Sequence, residues 1–132
     1  MEYVFFYGTL MRPFQRQGRS HIEAYLTHVG EGRIVAALFD LGLYPAAVPA
    51  TDGTVRGEVH AMRDSAVVLA ELDAIEGYQP GHPEQSLYTR ARVDVHLDSG
   101  GTVSAWVYFY NAPLGRAERI VSGDYLEHLR GR

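Results

Sequence analysis

The chain has 132 residues, a formal net charge of −4 with neutral histidines, and neither cysteine nor lysine. A chain this long can bury a core without covalent staples and is expected to form a single domain over residues 1–132. The missing residue types exclude disulfides, thiolate metal sites, cysteine nucleophiles, Schiff-base lysines and P-loop lysines. The acidic balance argues against a nucleic-acid partner. No apolar run reaches membrane-spanning length, and no basic-then-apolar leader pattern is present, so no membrane partner and a cytoplasmic location are expected.

In chain order, Glu2 to Tyr7 is rich in aromatic and β-branched residues and predicts a buried strand. Met11 to Gly18, polar and interrupted by Pro13, predicts a loop or short turn, and Ser20 to Leu26 a brief helix. Val29 to Phe39 contains the apolar run Ile34 to Phe39 and predicts one strand. Leu41 to Pro45 with Val48 and Pro49 predicts an apolar loop. Thr54 to Met62 alternates, with Val55, Gly57, Val59 and Ala61 on one face and Arg56, Glu58 and His60 on the other, as in a half-buried strand.

Asp64 and Ser65 supply a helix cap. Ala66 to Ile75 is free of Gly and Pro, and Gly77 provides the stop. Val93, Val95 and Leu97 alternate with polar residues, and Asp98 to Gly101 signals a hairpin. It leads into a strand over Thr102 to Tyr110 with both faces covered. Asp124 to Arg130 predicts a final short helix. Strands, one convincing central helix and more strands give an α+β fold.

Two features point to chemistry. With about 100° per residue and Leu72 at zero, Glu76 falls on the buried stripe of the central helix beside Val68, Leu72 and Ile75. Glu71 and Asp73 fall at the solvent boundary. A helix C-terminus carries partial negative charge, so an inward carboxylate there is expected to have a raised pKa, suited to general acid–base work. The same pattern also fits a terminal acid facing water or paired with an arginine. The second feature is Tyr7-Gly8-Thr9-Leu10, a glycine turn directly after a buried strand. Its N–H groups can form a nest for a carboxylate, or it is an ordinary strand-to-loop turn.

Six histidines stand without ligand spacing, so no metal site is expected, and His60 and His96 are expected on exposed strand faces. The Gly-x-Ser-x-Gly and dinucleotide glycine patterns are absent. Tyr44, Tyr78 and Tyr88 are candidates to line a pocket, or to serve as aromatic packing against a curved sheet.

Together these segments resemble the gamma-glutamylcyclotransferase-like family. Phe6 to Leu10 is similar to its N-terminal substrate loop. Leu38 to Pro45 is similar to its "LYDLGxYP" segment, Val55 to His60 to "VxGEVY", and Leu72 to Tyr78 to "LDxxEGY". Tyr88-Thr89-Arg90 is similar to "YxR", and Ser122 to Tyr125 to a closing "GDW" with Tyr in place of Trp. The matches keep family order across nearly the whole chain.

The resemblance implies a small, mixed, mostly antiparallel β-barrel or curved sheet with peripheral helices. It implies cyclisation of a gamma-glutamyl amine, amino acid or peptide to 5-oxoproline without metal or cofactor. It makes Glu76 catalytic, and Tyr7, Gly8, Thr9, Leu10, Tyr44 and Tyr88 substrate-binding. A member that kept the fold only as a small-molecule binding or interaction domain is the alternative. Leu114 to Arg119 stands where some members place a substrate-contacting aromatic, a departure that bears on the leaving group. The oligomeric state is not legible.

Overall fold

The computed structural model describes residues 1–14 and 17–131. The apolar alternation converts into β1 (Glu2–Phe6), β2 (Leu26–Val35), β3 (Ala37–Asp40), β4 (Pro45–Val48), β5 (Thr54–Met62), β6 (Tyr88–Leu97), β7 (Thr102–Tyr110) and the short β8 (Glu118–Arg119). The helices are α1 (Gln17–Ser20), α2 (Ser65–Glu76) and α3 (Tyr125–Arg130), with 3-10 turns at Arg12–Phe14, Glu23–Tyr25 and Pro83–Gln85.

Five strands close into a barrel in the order β1-β5-β2-β6-β7, and β4-β3-β8 form a separate three-stranded sheet. The barrel neighbours are antiparallel except where β7 meets β1 in parallel at Trp106 and Val4. Closure leaves no barrel edge exposed. It also explains why β1 and β7 carry large side chains on both faces: Val4, Phe5 and Phe6 are all buried, as are Val107, Tyr108 and Phe109. The fold is therefore α+β with a mixed, mostly antiparallel barrel, as the pattern and the resemblance predict.

Helix α2 starts where Asp64 accepts a hydrogen bond from the Val67 N–H at 3.3 Å. It buries Val68, Leu69 and Leu72, each contributing about 1.5–3 kcal/mol when fully removed from water. It stops at Gly77, whose φ of 67° lies in the left-handed region that glycine tolerates.

Several expectations need correction. The run from Val29 to Phe39 is not one strand. It breaks at Ala36, whose N–H bonds the Gly53 carbonyl, and the chain leaves the barrel there for the second sheet. The apolar stretch after Leu41 is not all loop, because Pro45–Val48 pairs with β3 as a buried strand. Ser20 to Leu26 is not one helix: α1 ends at Ser20, a 3-10 turn follows, and Leu26 already pairs with Met62. Within Met11 to Gly18, residues 15 and 16 lie outside the described residues, and the remainder holds a 3-10 turn and the start of α1.

The polar face of β5 is also not exposed. Glu58 is 4% and His60 1% accessible. A half-buried reading of the alternation fails because Arg12 of the first 3-10 turn closes on Glu58, and Phe6 and His28 pack on His60. His60 Nε2 lies 3.1 Å from Glu58 Oε1, and its ring packs against Phe6 and His28. Glu58 also accepts from the Arg12 backbone N–H at 3.1 Å and pairs with its guanidinium at 3.3 Å. His96 is exposed, as expected.

This cluster makes stability acid-sensitive with a defined sign. Burial pushes His60 below its ordinary 6.5, with Glu58 only partly offsetting it. Burial would raise Glu58, but the bonds from His60 and Arg12 outweigh it and hold the carboxyl at about 2 rather than 4.5. Both groups bind protons more readily in the unfolded chain, so their contribution is complete above pH 6.5 and lost as pH falls. Urea unfolding should show a first loss beginning near pH 6.5 and a second below 4.5. In His60→Gln, whose amide can still donate to Glu58, only the second should remain. A native profile that is flat across the first window would contradict the assignment.

Candidate active site

A partly enclosed cavity of about 120 Å³ lies where the turn after β1 faces the end of α2. That is room for a small organic molecule rather than a lone water. Tyr7, Gly8, Thr9 and Leu10 line it from one side, and Ile75 and Glu76 from the other. Tyr44, Pro45, Leu87, Tyr88 and Tyr108 complete the wall above Phe5 and Phe6.

Two buried charges fix the turn. The Met11 N–H closes it on the Gly8 carbonyl at 3.0 Å. Beyond it, Arg12 is tied to Glu58. The guanidinium of Arg19, 4% exposed, donates to the Leu10 carbonyl at 2.9 Å. Gly8 is needed because a Cβ there would stand 2.9 Å from Cγ of Pro45. The close approach that the sequence suggests for a ligand is thus made, within the protein, to the proline ring.

The end of α2 is held through Asp73, one turn before Glu76. Its carbonyl accepts the N–H groups of Gly77 and Tyr78, the latter at 2.8 Å. Its carboxylate accepts from the Tyr108 hydroxyl at 2.6 Å and from Arg90 at 2.9 and 3.4 Å. The Arg90 guanidinium lies over the Trp106 ring at 4.6 Å and the Tyr78 ring at 5.5 Å. A bidentate, ring-covered arginine is the strong form of such a pair. Helix α2 is thereby pinned to β6 and β7, and Glu76 is presented to the cavity.

Three phenols around the cavity stay neutral. Burial, then the nearby Glu76 charge, pushes Tyr7 well up. Burial does the same to Tyr88, followed by Tyr7 and Glu76. Tyr108 is raised by burial, by its bond to Asp73 and, less strongly, by Glu76. Their protons are committed within the protein: Tyr7 donates to the Tyr108 carbonyl at 2.5 Å, and Tyr88 to the Pro45 carbonyl at 3.1 Å. Each hydroxyl oxygen keeps acceptor capacity, and Tyr7 uses part of its own on the Ala47 N–H at 3.2 Å.

The family model described as gamma-glutamyl cyclotransferase, AIG2-like, matches residues 4–127. The chain belongs to that family. It is 36% identical over 125 residues to the gamma-glutamylcyclotransferase family protein YtfP of Escherichia coli K12, covering 94% of this chain and 96% of that one. The solution structure of Escherichia coli ytfP superposes with a TM-score of 0.67 at 35% identity, over 96% of this chain and 97% of that one. The crystal structure of YkqA from Bacillus subtilis gives 0.72 at 26% identity, over 99% of this chain but only 43% of the longer YkqA.

Within this gamma-glutamylcyclotransferase-like frame, the cavity brings together Tyr7, Gly8, Thr9, Leu10, Tyr44, Glu76 and Tyr88. Tyr78 is not part of its lining and instead covers Arg90. The segment from Leu114 lines a different, open cleft with Asp40, Leu41 and Gly42. Asp73 was expected at the solvent boundary, but its side chain is only 13% exposed. The helical wheel treats one flank as wet, whereas Arg90 and Tyr108 occupy it. Tyr108 and Pro45 also escaped the sequence reading. Trp106, Tyr108 and Tyr110 share one face by alternation, and only the barrel's closure shows that Tyr108 reaches the helix end. Among the described residues, no group of three His, Cys, Asp or Glu side chains is close enough to hold a metal ion.

Removing the Tyr7 hydroxyl strips partners from two buried backbone groups, the Tyr108 carbonyl and the Ala47 N–H. Tyr7→Phe should therefore destabilise the fold by about 2–3 kcal/mol. The check is a lowered urea midpoint at unchanged slope. A midpoint equal to the native one would show that the bridge carries no weight.

Proposed function

We propose that this chain cyclises a gamma-glutamyl donor to 5-oxoproline and releases the amine the donor carried, with Glu76 as general base and then acid. The observation that supports the reading most is that Glu76 and the Gly8 turn line one cavity although they lie far apart in the sequence.

The proposed chemistry follows from the groups present. A donor's α-ammonium cannot attack while protonated, and Glu76 takes one of its protons. The freed nitrogen attacks the donor's own gamma-carbonyl, forming the ring C–N bond. The carbonyl oxygen gains charge as it does so. Collapse breaks the bond to the departing nitrogen, and Glu76 returns its proton there. The ring nitrogen keeps one hydrogen, the two protons it sheds end on the released ammonium, and no water is consumed.

Holding the donor folded supplies much of the rate, because attack within one molecule gains most from positioning. Glu76 is the one charged side chain among the described residues lining the cavity. The donor's α-carboxylate would therefore be met by N–H groups of the Gly8–Leu10 turn rather than by an arginine. The α-ammonium would be met by Glu76 and the lone pairs of the neutral tyrosine hydroxyls. Tyr44 and Tyr88, at 6.4 Å between ring centroids, would flank the donor with their ring surfaces.

Purified protein should release 5-oxoproline from at least one member of a panel of gamma-glutamyl amines, amino acids and peptides. Glu76→Gln should lower kcat by about 10²–10⁴-fold with an unchanged melting temperature. A silent panel, with donors bound but not consumed, would favour the alternative of a binding domain. Full activity in Glu76→Gln would remove the mechanism.

A further inference from the structure

The wall that the Gly8 turn gives to the cavity has a buried charge directly behind it. Phe6 and Leu10 line the cavity, and Arg19 reaches both. Its guanidinium lies 5.7 Å from the centre of the Phe6 ring and donates to the Leu10 carbonyl at 2.9 Å. Arg19 is buried, and a buried charge is screened far less than one at the surface. Its acidic partner differs. Glu23 accepts from Arg19 Nε at 3.1 Å, but its side chain is 63% exposed, so solvent weakens its field. The other charges on this side balance: Glu58 pairs with Arg12. His60 is kept neutral by burial and by the Arg19 charge, against the pull of Glu58. The field behind the turn is therefore positive.

We propose that Arg19 is the positioning residue for the donor's α-carboxylate: it anchors the Leu10 peptide from behind and lends the turn a positive charge that none of the side chains from Tyr7 to Leu10 carries. This deepens the cyclotransferase reading and rests on it for the identity of the guest. Backbone N–H groups hold an anion by partial charges. A full charge behind them adds a longer-ranged attraction, which an uncharged guest does not feel. An arginine that merely satisfied the Leu10 carbonyl would hold the turn equally for charged and uncharged guests. Two ligands separate these roles. The α-carboxylate of the donor survives in 5-oxoproline as the ring carboxylate, and 2-pyrrolidinone is the same lactam ring without it.

Three variants separate charge from hydrogen bonding. Arg19→Gln keeps a donor for the Leu10 carbonyl and removes the charge. Arg19→Lys keeps the charge and loses the fork. Glu23→Gln leaves Arg19 in place and removes the charge that offsets it. At an effective dielectric between those of water and dry protein, one charge about 10 Å from a carboxylate changes its affinity about tenfold. Arg19→Gln should therefore weaken 5-oxoproline about tenfold and leave 2-pyrrolidinone unchanged. Arg19→Lys should recover most of the loss, and Glu23→Gln should tighten 5-oxoproline about twofold.

The experiment titrates each ligand into isotopically labelled native protein and the three variants, with amide spectra reporting both folding and occupancy. A loss selective for 5-oxoproline in Arg19→Gln, restored in Arg19→Lys, is the expected result. Equal losses for the two ligands, or no loss, would overturn the proposal. If Arg19→Gln does not fold, Glu23→Gln decides: unchanged or weaker 5-oxoproline binding there would overturn it as well. With donors, the Arg19→Gln loss should fall on KM rather than kcat. Native binding and turnover without ligand selectivity in the variants would remove this proposal and leave the cyclotransferase reading standing. Selective loss without turnover of any donor would leave the carboxylate site and remove the enzyme reading. Native protein that neither binds nor forms 5-oxoproline would remove both.

Discussion

The ion pair between Asp73 and Arg90 is the contact on which the rest of the site depends. A helix that packs by three aliphatic residues, Val68, Leu69 and Leu72, is free to slide or roll by small amounts. A half-buried carboxylate bound by a forked guanidinium and a phenol is not, because each of its bonds has a direction. The last turn of α2 therefore has one placement, and Glu76 inherits it. Gly77 then ends the helix at once, so the chain turns away and leaves the cavity open beside the acid.

The opposite wall uses the same physics with different residues. The Gly8 turn is short, and a short turn between a buried strand and a 3-10 segment has few bonds of its own. Glu58 and Arg19 supply them, one through Arg12 and the other through the Leu10 carbonyl. Both are buried charges that look like ordinary surface residues in the sequence. The tyrosines close the gap between the walls. Because Tyr7 and Tyr88 spend their protons on the Tyr108 and Pro45 carbonyls, they tie β7 and the start of β4 to the cavity while remaining neutral. Among the described residues the cavity thus combines stiff walls with a single lining carboxylate, Glu76.

Legibility divided along physical lines. Local signals carried well. The Asp64 cap, the Gly77 stop, the alternation of Thr54 to Met62 and the glycines after Asp98 all depend on residues close in sequence, and the elements stand where those signals put them. Non-local pairing did not carry. Nothing in the run from Val29 to Phe39 shows that Ala36 marks a change of sheet, since the partner that enforces it, Gly53, lies in a distant loop. Pro45–Val48 is a strand only because β3 is beside it. Glu58 and His60 follow a perfect exposed-face pattern and are buried, because alternation reports a strand's two faces but not what covers them. The same limit hid Asp73: a helical wheel gives an angle, and only the barrel supplies Arg90 and Tyr108 to fill it.

The claim at the centre is that the Gly8 turn and the end of α2 form two halves of one recognition site. Titrating 5-oxoproline, the product that the chemistry would leave behind, into isotopically labelled protein tests it without requiring turnover. The amides of Gly8, Thr9, Leu10 and Gly77 should move together and saturate at one concentration. Shifts confined to the cleft beside Leu114 and Arg116, or movement at only one of the two walls, would contradict it.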